Sequence, residues 1–93
     1  RRQRDICRAA GLVMSVQDTV GSTLSFAALA HLGSTVPPHL LRCILDVRDM
    51  VTLPVGAIDA PIRDGGILLG DAPGLGVEID ASLFPTPVAS YSL

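Results

Sequence analysis

Ala9-Ala10-Gly11-Leu12-Val13-Met14-Ser15-Val16-Gln17-Asp18 is the stretch on which the fold turns. Before it, Arg2 to Ala10 suits a helix, with Ile6, Ala9 and Ala10 forming a narrow apolar stripe among arginines. Gly11 stands where a helix commonly ends, because glycine enters the left-handed conformation at low cost. Leu12 to Val16 then runs apolar with one serine. A continuous apolar run straight after a capped helix predicts a buried strand of the parallel type. Asp18 follows directly on that strand.

Working outward, Asp18-Thr19-Val20-Gly21-Ser22 is a polar turn bearing a glycine, and Ser22 can cap a second helix over about Thr23 to Leu32. Leu24, Ala27, Ala28 and His31 fall on one face of that helix. Gly33-Ser34-Thr35 ends it, and Pro37-Pro38 enforces an extended link. Cys43-Ile44-Leu45-Asp46-Val47 predicts a second short buried strand. The order helix, strand, helix, strand is an α/β pattern, which implies parallel strands joined by helical crossovers. Two strands do not make an independently stable sheet of this kind, so further strands are expected outside the sequence.

The pattern changes after Met50. Leu53 to Gly56 reads as a linker. Ala57 to Ile62 and Ile67 to Leu69 flank Arg63-Asp64-Gly65-Gly66, a hairpin signal, with Pro61 confining the first arm to an edge or a strand end. Ala72-Pro73-Gly74-Leu75-Gly76-Val77 is a rigid, glycine-bearing segment. Asp80 can cap a single turn over Ala81 to Leu83, before a tail punctuated by Pro85 and Pro87.

The composition is unusually apolar for 93 residues: 48% hydrophobic, mean hydropathy +0.48 and only 17% charged. Small domains have much surface per volume and usually carry more polar residues. The excess is met either by a partner or by a larger fold, and the start Arg1-Arg2-Gln3-Arg4, without Met, favours the second. No basic-then-apolar leader follows, and the apolar runs fall far short of the roughly 20 residues of a membrane span. A cytoplasmic protein without membrane partners is expected. Arg1, Arg2, Arg4 and Arg8 concentrate positive charge at one end, yet no interleaved aromatics accompany them; a solvated helix face is expected rather than a nucleic-acid surface. There is no lysine. Cys7 and Cys43 lack metal-ligand spacing and read as buried free thiols, with a disulfide left open.

Several motifs that would carry chemistry are missing. Gly70 to Gly76 lacks the endings of a phosphate or dinucleotide loop, and Pro73 removes a backbone donor; a structural turn is expected there. His31 reads as a hydrogen-bonded core residue, His39 as a loop residue, and Ser22 and Ser25 lack a nucleophile elbow. The acids are better placed. Ligands of α/β folds bind beyond the carboxyl ends of parallel strands, so Asp18, Asp46 and the further Asp49 are the candidate substrate-binding residues. No residue is assigned as catalytic or as a metal ligand.

Asp71-Ala72-Pro73-Gly74-Leu75-Gly76-Val77-Glu78-Ile79-Asp80 resembles the closing stretch of the muconate-lactonizing enzyme/mandelate racemase group of the enolase superfamily. Asp64-Gly65-Gly66-Ile67 before it is similar to that group's return strands. Ala10-Gly11-Leu12, Gly21-Ser22 and Ala28-Leu29-Ala30-His31-Leu32 resemble its seventh barrel strand and helix, and Pro37 to Asp46 its approach to strand eight. The resemblance implies a partial TIM barrel, strands seven and eight, over 1–52, and a hairpin and tail over 53–93 that would pack on a missing capping domain.

It also implies a full-length parent, often a homo-oligomer, that uses Mg²⁺ and lysines to abstract the α-proton of a small carboxylate. Racemase, epimerase, dehydratase or cycloisomerase chemistry belongs to such an isomerase or lyase. The metal acids and lysines would lie on strands before Arg1, so these residues alone would bind no metal and would be inactive. At strand eight some dipeptide epimerases of the group hold an ammonium group with two acids; here Ile44 stands at the first position and Asp46 at the second. Gln17 and Asp18 stand where mandelate racemase has its strand-seven histidine, and the turn from Asp18 to Ser22 looks more like amino-acid or hydroxyproline-type enzymes. The alternative expectation is an independent, non-catalytic protein-interaction module using its excess apolar surface.

Overall fold

The computed structural model describes residues 1–19 and 21–91. Helix α1 (Arg2–Ala9) leads into strand β1 (Met14–Val16), helix α2 (Thr23–Ser34) and strand β2 (Leu41–Ile44). Gly11 takes φ +65°, so the expected left-handed residue ends α1, and its N–H donates to the Arg8 carbonyl at 3.1 Å. β1 and β2 pair in parallel, Val16 opposite Ile44, with a register irregularity between Met14 and Ser15. The ladder runs on by one bond, Leu45 N–H to the Val16 carbonyl at 3.0 Å. The helix-connected parallel pair is a mixed α/β arrangement, as the sequence pattern predicts.

α2 starts as expected: the Ser22 hydroxyl accepts the Ser25 N–H. Its buried face is Thr23, Phe26, Ala27, Ala30 and Gly33, a spacing of three and four residues that shares only Ala27 with the face expected from the sequence. This helix is apolar nearly all round, so periodicity does not choose a side; small residues do. A Cβ at Gly33 would overlap the Ile44 side chain, so glycine is what brings β2 against the helix.

Two expectations of burial are corrected. Ile6 is 68% exposed and the expected stripe of α1 faces outward, while Arg4 and Cys7 turn inward. Leu12 and Val13 are 54% and 62% exposed, and Cys43 lies open; both cysteines are free. The cause is common to both: β1 and β2 form a sheet of two strands, covered by α2 but without further strands beside them among the described residues.

The second part differs from the expected linker and single hairpin. β3 (Gly56–Ile58) begins inside the segment read as linker and pairs antiparallel with β6 (Val77–Ile79), which was not expected as a strand. Between them β4 (Ile62–Arg63) and β5 (Gly66–Ile67) make the expected hairpin, closed by Asp64 and Gly65 at φ 51° and 76°. Pro61 falls between β3 and β4, as its missing N–H requires. Asp80 caps the single turn Ala81–Leu83, accepting from the Ser82 N–H at 3.0 Å.

The buried centre is small: Phe26, Ala30 and Ala60, with Ile58, Ile67 and Leu69 packed against it. No helix among the described residues is long and apolar enough to cross a membrane.

Candidate functional site at the strand ends

Val16 and Ile44 are paired in the parallel ladder, so Asp18 and Asp46, each two residues further on, leave the sheet at the same end. Asp46 is half-buried and does not stand alone. The Arg48 guanidinium grips it, with Nε at 2.9 Å from Oδ1 and 3.1 Å from Oδ2, and Nη2 at 2.6 Å from Oδ2. The Arg48 backbone N–H adds a 3.0 Å bond to Oδ1. Asp49 is exposed on the following 3₁₀ turn (Arg48–Met50), away from the ladder.

These contacts set the electrostatics. Hydrogen bonds from the Arg48 side chain hold the Asp46 carboxyl below its ordinary value; partial burial opposes them, and the Arg48 N–H and charge assist. Arg48 is held above its ordinary value, chiefly by the bond to Asp46, with a further contribution from the charge of Asp49. Elsewhere, the Ser82 hydroxyl and N–H lower the carboxyl of Asp80, which is a capping residue far along the tail.

Arg48 reaches further than its ion pair. Its Nη1 donates to the Ala60 carbonyl at 3.0 Å, and its Cζ lies 4.2 Å from the centre of the Phe26 ring. The side chain therefore joins the exit of β2, the core face of α2 and the tail. No apolar periodicity marks Arg48 in the sequence. An arginine two residues after a strand-end acid is the signal that could have found it, since that spacing permits a fork on the carboxylate.

Asp18 is half-buried and its Oδ1 accepts the Thr19 N–H at 2.7 Å. Among the described residues its Oδ2 accepts no hydrogen bond. Gly21 lies beneath it: a Cβ there would overlap Asp18 Oδ2 and the Ser25 Cβ. Nearby, a cleft of about 290 Å³ opens between the start of α2 and β3, with Gly21, Ser22, Thr23, Val47, Arg48 and Gly56 among its walls. The structure thus brings Asp18 and Asp46 to one end of the sheet, leaves Asp49 outside it, and makes Arg48 rather than either acid a wall of the cleft.

The other singled-out groups are structural. Gly76 N–H bonds the Pro73 carbonyl at 3.2 Å, and Gly74 and Gly76 take positive φ, so the glycine segment is a turn. His31 is half-buried, with Nε2 3.3 Å from the Leu75 carbonyl. Among the described residues no three His, Cys, Asp or Glu side chains converge on a point that could hold a metal ion, and Asp46 is already engaged by Arg48.

The chain belongs to the enolase C-terminal domain-like family, whose model matches residues 1–83. Its fold is close to that of a Roseovarius nubinhibens ISM protein assigned as a mandelate racemase/muconate lactonizing enzyme and crystallised in complex with magnesium. That match has 54% identity, a TM-score of 0.91 and coverage of 98% of this chain and 25% of that one. A protein assigned to the same group from Aspergillus oryzae matches at 48% identity and TM-score 0.89, over 97% of this chain and 25% of that one. The cis-3-hydroxy-L-proline dehydratase of Roseibium aggregatum is 36% identical over 90 residues, 96% of this chain and 24% of its own length. The chain spans about a quarter of these relatives.

Proposed function

We propose that this chain is the closing part of a (β/α) barrel in a longer enzyme that abstracts the α-proton of a small carboxylate. β1 and β2 would be barrel strands seven and eight, and the tail from residue 53 would meet a capping domain. Magnesium and the acid–base lysines belong, on this proposal, to residues outside the chain. Within the class, dehydration of a hydroxylated cyclic amino acid is the favoured reaction, on the 36% likeness to a hydroxyproline dehydratase. Such a substrate carries its carboxylate, α-proton and β-hydroxyl on adjoining positions. Loss of the α-proton to a base leaves an enolate; its electron pair forms the Cα–Cβ double bond as the Cβ–O bond breaks, and hydroxide leaves with a proton as water.

The residues of this chain bind and orient rather than react. Asp18 and Asp46 form the substrate side of the strand ends, with Asp49 further out. The observation that carries this is the in-register parallel pairing of β1 with β2, which sends both acids past the same end of the sheet.

The test uses the full-length parent in D₂O with a panel of small carboxylates that includes cis-3-hydroxyproline. Loss of the α-proton signal by NMR is expected, with water release from the β-hydroxylated members. Asp46→Asn should weaken substrate use and leave magnesium affinity nearly unchanged. Parallel loss of both, or no exchange with any carboxylate, would overturn the proposal.

A further inference from the structure

We infer that Arg48 is a positioning residue that ties the tail to the end of β2, and so sets how tightly the parent enzyme holds its substrate. The link to the tail stands by itself; its effect on substrate rests on the function proposed above. Two side chains cross to the backbone segment that carries β3. Thr23 Oγ1 donates to the Gly56 carbonyl and Arg48 Nη1 to the Ala60 carbonyl, each at 3.0 Å. They hold opposite ends of that segment, whose Gly56, Ala57 and Ile58 wall the cleft of about 290 Å³.

The two clamps are built differently. Thr23 stands on the first turn of α2, buried, and is fixed by the helix itself. Arg48 sits on a short 3₁₀ turn past β2, and its direction comes from Asp46. A guanidinium is planar, with its donors in a rigid fork, so binding one edge aims the rest. Here Nε and Nη2 face the Asp46 carboxylate at 2.6–3.1 Å, which leaves Nη1 directed at the Ala60 carbonyl. The Phe26 ring, 4.2 Å from Cζ, sets the tilt of the plane. Asp46 itself follows the last ladder bond, from Leu45 N–H to the Val16 carbonyl, by one residue. Rigid pieces thus run from the sheet end to the tail: carboxylate, guanidinium, carbonyl. A lysine, with one nitrogen on a flexible stem, does not reproduce them. On the proposed function the metal and the acid–base lysines lie outside this chain. Loosening the tail should therefore weaken the hold on substrate more than the chemical step.

The test compares the full-length parent with Asp46→Asn, whose amide sets a donor against the fork, and with Arg48→Gln, Arg48→Lys and Asp46→Asn/Arg48→Gln. Hydrogen exchange of the β3 and β6 amides needs no substrate. Each variant should quicken it by about 10-fold, the worth of one hydrogen bond, with α2 unchanged. The double variant should match the single ones, because both remove the same link. With cis-3-hydroxyproline, Arg48→Lys should raise KM by about 10-fold and keep kcat within about twofold. A merely structural arginine would be rescued by lysine or would loosen α2 as well. Wild-type exchange of β3 and β6 in Asp46→Asn, rescue by Arg48→Lys, or a kcat loss equal to the rise in KM would each overturn the inference. Absence of α-proton exchange with every carboxylate would retire the proposed function and the effect on substrate, while the amide pattern still decides the link from Asp46 to the tail.

Discussion

The helix-backed strands and the tail that follows them bury their side chains to different depths. Residues up to Val47 bury side chains: Phe26, Ala27, Ala30, Val36 and Val47 are all within 5% of complete burial. Beyond Val47, among the described residues, only Ala60 reaches that state. The tail meets the first part through a small apolar contact, Ala60, Ile58, Ile67 and Leu69 against Phe26 and Ala30, and through hydrogen bonds to its main-chain oxygens. Thr23 Oγ1 donates to the Gly56 carbonyl at 3.0 Å, Arg48 Nη1 to the Ala60 carbonyl at 3.0 Å, and His31 Nε2 lies 3.3 Å from the Leu75 carbonyl. In each case a residue no later than Arg48 supplies the side chain and the tail supplies a main-chain oxygen. Apolar content alone does not decide which region forms the core; the closeness allowed by Ala and Gly on α2 does.

The contrast can be broken, most forcefully at Phe26. Phe26→Ala removes a fully buried ring and the surface under Arg48, and should cost about 3–5 kcal/mol in urea denaturation of the parent. A loss confined to the tail would mean the two regions are independent. Gly56→Ala comes next. Its Cβ would overlap the Glu78 carbonyl oxygen, so β3 and β6 must separate, at about 1–3 kcal/mol. Hydrogen exchange should speed up in β3 and β6 while α2 stays protected.

Arg48→Gln ranks third, at about 1–2 kcal/mol near neutral pH, since the pair is partly exposed and screened. Its sign against pH is fixed. The folded-state carboxyl of Asp46 is lowered, so its contribution is present above the ordinary carboxylate range and is lost as pH falls below about 4. The wild type and Arg48→Gln should therefore converge in stability as acid is added, and a constant gap across pH 3–7 would remove Asp46 as its source. His31→Ala should be smallest, about 0.5 kcal/mol, because its link to the tail is long and half-exposed. It sharpens the contrast if limited proteolysis then quickens at Gly74–Gly76 without change in α2.

Local chemistry was readable wherever a residue type forces a backbone shape. Gly11 ended α1, Ser22 opened α2, Asp64-Gly65 closed the hairpin and Asp80 capped its turn, all as the sequence predicts. The resemblance carried by Asp71 to Asp80 led to the family that the comparison found. What the sequence did not disclose was long-range. Pairing of β3 with β6 joins residues about twenty apart, and nothing in either segment names its partner. The face of α2 was ambiguous because polar residues do not mark its outside. At the strand ends Asp18 and Asp46 were legible from their place after apolar runs, but their unequal engagement was not. That difference depends on Arg48 folding back across two residues and reaching Ala60 and Phe26 at the same time.

The Asp64-Gly65 turn has a consequence for the order of assembly. Its hairpin joins Ile62 to Ile67 and Arg63 to Gly66, neighbours that a chain can bring together within microseconds. β1 meets β2 only after α2 has been laid across between them, a slower closure. During synthesis the first strand would wait, greasy and unpaired, while helix and second strand emerge. A pulse-labelling experiment on refolding chains should find the hairpin amides protected before those of Val16 and Leu45, and chaperone demand should track the delay of that second event.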